Sequence, residues 1–247
     1  MNGFIRLNPN QAEDRSQLER LNITFIGNTN NFVYVKESTD KPAQNQIKIE
    51  CLQTSLNNEI YIGHIKKFTS NIKINGSRNC IRFYDTGHII NSNIHVGGNE
   101  NILEIGSDCS ISQARILIDG FRNEITLGSN CMLSYGITIQ NSDSHAIIDL
   151  KTKERINREK DIHVGSRVWI GANCTVLKGV QVGAGSIIGV GSVVTKDVPA
   201  TSLVAGIPAR LIRRNVSWTR SSNPSSAEIN NLCEMVEQES SFLQPPY

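Results

Sequence analysis

From Ile162 the chain reads IHVGSR VWIGAN CTVLKG VQVGAG SIIGVG SVVTKD, and its aliphatic positions keep a fixed interval. Val164, Ile170, Val176, Val182, Ile188 and Val194 recur every sixth residue without a miss. The residue after each is mostly small: Gly165, Gly171, Leu177, Gly183, Gly189 and Thr195. An amphipathic helix needs apolar spacing of about 3.6, and a lone strand alternates by two over only a few residues. A sustained period of six predicts short strands joined by tight corners, with one aliphatic side chain per segment pointing inward. Three such segments close a triangular coil, and stacked coils bury a continuous aliphatic column.

The rhythm extends upstream in a looser form. Leu127, Leu133 and Ile139 are six apart, as are Ile105, Ile111 and Leu117. A second motif recurs at 22-residue spacing as GSRNCIRF from Gly76, GNENILEI from Gly98 and GFRNEITL from Gly120. Weaker copies start at Gly27 and Ser55. A 22-residue coil is an 18-residue coil with four residues added at one corner, and the repeated Asn predicts an amide stack that satisfies turn backbone groups. The expectation is an all-β parallel solenoid over 23–205, preceded by an N-terminal segment over 1–22 and irregular to about Glu50. Within it, 22-residue coils run to about residue 139, a loop is extruded over 140–161, and regular coils follow over 162–205. Residues 206–247 predict a C-terminal loop and a short helix, from the spacing of Ile229, Leu232, Met235 and Val236 behind a Ser cap. DKPAQNQ (40–46) predicts a polar turn.

Composition narrows the picture without redirecting it. Across 247 residues the chain is 38% hydrophobic and 19% charged, with a formal charge of +2, which gives no general reason to expect nucleic acid as a partner. No run of about 18 apolar residues predicts a membrane span, and MNGFIRLNPNQAEDR lacks the apolar stretch of a secretion signal; the expectation is a cytoplasmic protein. The six cysteines form no CxxC pair, so no zinc or redox motif is expected. Cys109, Cys131 and Cys174 each precede a rhythm aliphatic by two, which predicts inward thiols acting as small hydrophobes.

The rhythm breaks at QNSDSHAIIDL, because Ile139 to Val164 is 25 residues, not a multiple of six. His145 stands where the chain leaves the coil, flanked by Asp143 and Asp149. A histidine there suits a general base, its unperturbed pKa lying near about 6.5, or is an ordinary surface-loop residue. Asp143 and Asp149 each suit either orienting the imidazole or capping a turn, with Asp149 read as the turn cap. Lys196, Arg210, Arg213 and Arg214 gather near the end of the solenoid, either as an ordinary solvated charge cluster or as a phosphate site, where Arg offers a planar fork of donors. Trp169 precedes inward Ile170 and so points outward, free to stack on a ligand or on a second subunit. Tyr135 is a weaker candidate of the same kind.

With these residues in view, the chain resembles the hexapeptide-repeat acyltransferases, the left-handed β-helix family that includes galactoside, maltose and capsular-sugar O-acetyltransferases. The resemblance is carried by SDSHAI, VWIGAN, VGAGSIIGVGS, VVTKD and AGIPARLIRR in that order, with 24 positions from His145 to Trp169. It covers roughly a third of the chain. It implies a left-handed helix, acetyl-CoA as co-substrate without a metal, and His145 as the catalytic histidine, with Asp143, Trp169 and Tyr135 in support. Trp169, Ala172, Val190, Thr195, Lys196, Arg210 and Arg213 match positions that contact or line the coenzyme A groove. It implies a homotrimer with sites between subunits and a carbohydrate acceptor, a capsular or other surface polysaccharide. The alternative is N-acetyl transfer to an amino sugar nucleotide. A carbonic-anhydrase-like zinc solenoid would need three clustered histidines, and a purely structural solenoid would have no use for the broken coil.

Overall fold

The computed structural model describes residues 3–27, 30–36 and 44–242. Short strands stack into three columns, the faces of a solenoid of about seven coils. The first face runs through Phe32–Lys36, Glu59–Ile62, Cys80–Phe83, Ile102–Ile105, Glu124–Leu127, Ile162–Val164 and Gln181–Val182. The second holds Ser110–Ile111, Met132–Leu133, Trp169–Ile170, Ile187–Ile188 and Ser202–Gly206, and the third Ala114–Ile118, Ile137–Gln140, Thr175–Leu177 and Val193–Val194. All these pairings are parallel. Upstream, Gln44–Cys51, Ile65–Asn75 and Thr86–Gly97 run across the second and third faces as single long strands.

All six hexad aliphatics from Val164 to Val194 are buried, and each lies beside its equivalent in the next coil. Burying an aliphatic side chain of this size contributes about 1.5–3 kcal/mol, so the period of six is the period of the core. One upstream position departs from the count. The residue aligned with Ile139 is Ile116, not Leu117, which pairs with Gln140. The corner before Ile116 is two residues long (112–113), whereas the next coil's has three (134–136). The three rhythm cysteines are fully buried, and the Sγ of Cys109, Cys131 and Cys174 donates to the carbonyls of Gly128, Gly165 and Gly189 at 3.2, 3.2 and 3.0 Å.

The repeated asparagine forms a ladder through Asn31, Asn58, Asn79, Asn101 and Asn123. The Oδ1 of one accepts from the backbone N–H of the next at 2.8–3.0 Å. In the weakest copy the ladder residue is Asn31, four after Gly27. Asn101 also donates to the carbonyls of Gly97 (2.7 Å) and Gly120 (3.2 Å) while fully buried. Asn101→Leu strands those groups in the core, where an orphaned polar group costs about 1–3 kcal/mol. The variant is expected to lose about 3 kcal/mol in urea denaturation; a loss under about 1 kcal/mol would mean the ladder is ornamental.

Three segments differ from expectation. The N-terminal part is ordered: Phe4–Leu7 pairs antiparallel with Phe32–Lys36, and α1 (Ala12–Arg20) buries Leu18 in the core. Leu7 and Leu18 thus close the open end of the aliphatic column, as terminal caps of solenoids do. Residues 40–43 of the expected polar turn lie outside the described residues, and from Gln44 the chain is strand. At the other end, Ala209–Arg214 returns as an antiparallel strand on Ser202–Gly206. The expected helix follows as α2 (Ser226–Phe242). Its cap is a reciprocal box: Ser225 Oγ accepts from the Glu228 N–H at 3.3 Å, and Glu228 Oε2 accepts from the Ser225 N–H at 2.7 Å.

Candidate active site

The chain leaves the coil at the edge between the third and first faces, after Gln140, and rejoins it at Ile162. Buried Asn141 pins the neck of the loop, accepting from the Asp119 N–H (2.8 Å) and donating to the Asp119 carbonyl (3.0 Å). At the tip, Ile148 and Arg155 bridge antiparallel. Asp149 caps that turn, accepting from the N–H groups of Lys151 (2.7 Å) and Thr152 (3.0 Å). Those bonds, Thr152's first, hold its carboxyl below the usual range. Ile147, Ile148, Leu150 and Ile156 leave an exposed apolar tip.

His145 is exposed at the base of this loop, just after Ser144, whose positive φ of 62° turns the chain outward. What fixes it is Asn157, only 7% exposed. Its Nδ2 donates to the His145 carbonyl (2.8 Å) and to Asp143 Oδ2 (2.7 Å), while its Oδ1 accepts from the Ile147 N–H (2.7 Å). One amide thereby sets residues 143, 145 and 147 together. The Lys178 ammonium closes the cluster, donating to Asp143 Oδ2 and to the Asn157 carbonyl (3.1 Å). Hydrogen bonds from Lys178 first and Asn157 second hold the Asp143 carboxyl below the usual range. Asp143 is therefore turned to Lys178 and Asn157 and braces the loop, rather than orienting the imidazole.

Lys178 is itself one coil before Lys196, since Val176 pairs with Val194. Thr195 and Lys196 thus share the edge from which the His145 loop springs, and both are exposed. A different edge, between the second and third faces, carries Tyr135 (57% exposed), Ala172 and Val190 (72% exposed) in a column. There the Asn173 N–H donates to the Tyr135 carbonyl and the Gly191 N–H to the Ala172 carbonyl. Trp169 is 37% exposed on the second face, and Arg210 and Arg213 lie on the returning strand at that face's C-terminal end. The third face separates the His145 edge from the Tyr135 edge. One chain therefore gathers His145, Thr195 and Lys196, and keeps Tyr135, Ala172, Val190 and Trp169 apart from them.

Lys196, Arg210 and Arg213 are exposed and make no ion pair among the described residues, so their charges are available to an anion. Among the described residues no three His, Cys, Asp or Glu side chains gather as metal ligands, and no helix is long and apolar enough to cross a membrane. Sequence reasoning passed over Asn157 and Lys178. Lys178 had a signal, since it falls 18 residues before Lys196 in the same hexad place; Asn157 had none.

The bacterial transferase hexapeptide model (six repeats) matches residues 161–196. The polysialic acid O-acetyltransferase of Escherichia coli O1:K1 / APEC is 40% identical over 84 residues, 34% of this chain and 27% of that protein. The galactoside O-acetyltransferase of Escherichia coli (strain K12) is 48% identical over 52 residues, 21% of this chain and 26% of that protein. The matched part thus spans about a quarter of each of these relatives. Likeness of the folded chain reaches further. The polySia-specific acetyltransferase NeuO superposes with a TM-score of 0.66 at 27% identity, covering 89% of this chain and 94% of that one. The polysialic acid O-acetyltransferase OatWY superposes with a TM-score of 0.70 at 26% identity, covering 86% and 98%. In its unbroken hexads and its three-faced coil, the chain is similar to the hexapeptide-repeat, left-handed β-helix acyltransferases, and the polysialic acid O-acetyltransferases are among the proteins it resembles.

Proposed function

We propose that the protein is an O-acetyltransferase that moves the acetyl group of acetyl-CoA to a hydroxyl of a carbohydrate, a capsular or other surface polysaccharide sugar. The observation that carries this reading is the way one buried amide, Asn157, holds the backbone at and just after an exposed histidine and the Asp143 side chain just before it. A loop that served only to connect two strands would not need its histidine held at such cost in buried polar groups. The names of the relatives point the same way, to sugar hydroxyls as acceptors.

In this reading the His145 imidazole takes the proton of the acceptor hydroxyl as its oxygen attacks the thioester carbonyl. The new C–O bond forms, backbone N–H groups steady the oxyanion, and the C–S bond breaks. Coenzyme A leaves as thiolate and takes the proton back from the imidazolium. Lys196, Arg210 and Arg213 hold the phosphates, while Ala172, Val190 and Thr195 line the path of the pantetheine arm and Trp169 flanks the reacting centre. Because one chain keeps these groups on separate edges, the complete site lies between subunits of a homotrimer, with the protein working in the cytoplasm. Transfer to nitrogen would use the same base, and the acceptor decides between them.

The test is thiol release from acetyl-CoA over a panel of polysaccharides and amino sugar nucleotides. Turnover with a polysaccharide that yields an alkali-labile ester supports the reading; turnover confined to amino sugars replaces it with N-acetylation. No turnover and no coenzyme A binding would leave a structural solenoid. Within the same assay, Asn157→Leu is expected to cut kcat about tenfold at an unchanged KM for acetyl-CoA, because it frees the His145 backbone while the Asn157 side chain bonds none of Thr195, Lys196, Arg210 and Arg213. An unchanged kcat would show that Asn157 matters only to the loop.

A further inference from the structure

The segment after Arg214, NVSWTRSSNPSS, is polar and without regular structure, yet Val216, Ser217, Trp218 and Arg220 dock it on the solenoid. The Val216 N–H donates to the Thr201 carbonyl at 3.0 Å, and Ser217 Oγ to the Gly185 carbonyl at 3.0 Å. Trp218 Nε1 donates to the Arg167 carbonyl at 2.6 Å. Arg220 reaches the carbonyls of Cys131 (3.4 Å) and Asp108 (3.1 Å) and Ser110 Oγ (3.1 Å). Thr201, Gly185, Arg167, Asn130 and Asp108 all have positive φ, from 51° to 69°, and are the stacked corner residues of successive coils. The segment therefore climbs the edge between the first and second faces, Val216, Ser217 and Trp218 each meeting one coil and Arg220 two, and lashes five coils together.

Its central residue meets the candidate site. The outward ladder of the second face runs Met132, Trp169, Ile187, Leu203. On it the Trp218 ring packs against Trp169, the centroids 6.0 Å apart and the planes tilted by 48°. Arg220 also lies over the Trp218 ring, its guanidinium carbon 5.7 Å from the ring centroid. An indole is suited to this place, with an apolar body to press on Trp169 and one N–H to anchor it.

We propose that residues 216–220 form a positioning strap and that Trp218 sets the orientation of Trp169 at the active site. This rests on the reading of Trp169 as an active-site residue, so the strap and that reading must be separable by experiment. The chain has only two tryptophans, which makes them so. Two indoles at this separation give an exciton couplet in far-ultraviolet circular dichroism, expected in the wild type and abolished by either Trp169→Phe or Trp218→Phe. Its absence from the wild type would overturn the strap whatever the enzyme does.

Kinetics then tests the positioning role. Trp218→Ala, assayed below its melting temperature, is expected to lower kcat/KM for acetyl-CoA about tenfold, with Trp218→Phe, which keeps the ring but loses the anchor, falling between. Trp218→Phe also keeps the test open should the alanine variant misfold. A couplet with both variants within twofold of wild type would overturn positioning and leave only a structural clamp. If the wild type turns over no acceptor, the enzyme reading fails by itself. The strap is then judged on coenzyme A titrated against Trp169 fluorescence: weaker binding in Trp218→Phe supports it, and unchanged binding overturns it.

Discussion

His145→Ala is expected to lower kcat for acetyl transfer by about 10²-fold or more while leaving coenzyme A binding and thermal stability as they were. The selectivity of this loss follows from where the residue sits. The His145 side chain is exposed, and among the described residues its ring makes no hydrogen bond that alanine would break. The contact that matters to the loop is made by its backbone carbonyl with Asn157, and alanine keeps it. A lowered melting temperature would mean that the ring does structural work. Turnover that survives the substitution would show that the histidine is an ordinary loop residue and that the proton goes elsewhere.

The contrast between His145 and its supports also shows what a sequence exposes. The hexads from Val164 to Val194 were legible because each coil buries an equivalent aliphatic against the one before. A core that repeats in space repeats in sequence. The Asn58, Asn79, Asn101 and Asn123 ladder was legible for the same reason, each amide serving the next coil's backbone. Ile116 was misplaced by one because a corner had lost a residue, and a count of six cannot see corner length. The cap α1 was missed because a helix that buries only Leu18 has too few apolar positions to show a period.

The strap was missed for a different reason. Its partners are backbone carbonyls of corner residues, which any side chain leaves available, so nothing at Thr201, Gly185 or Arg167 announces them. Asn157 lay equally out of sight, since its partners at His145 and Ile147 are backbone groups 12 and 10 positions away. His145 itself was visible only because the period broke beside it. The proposed base was thus legible, and the residues that hold its loop were not.

Mixing two inactive variants is expected to restore activity that neither has alone. His145 and Trp169 lie on different sides of the third face in one chain, so a site that uses both takes them from neighbouring subunits. In a ring closed by head-to-tail contacts, each interface pairs the His145 side of one chain with the Trp169 side of the next. Co-assembly of equal amounts of His145→Ala and Trp169→Ala chains then leaves about a quarter of interfaces intact on both sides, and about a quarter of wild-type turnover. Separately assembled and then mixed without exchange, the same chains should stay inactive, which guards against trace contamination. If both residues served a site within one chain, every site in the mixture would carry one lesion and no activity would return. Recovery near a quarter therefore speaks at once to the shared site and to an assembly in which a lone chain has no complete one.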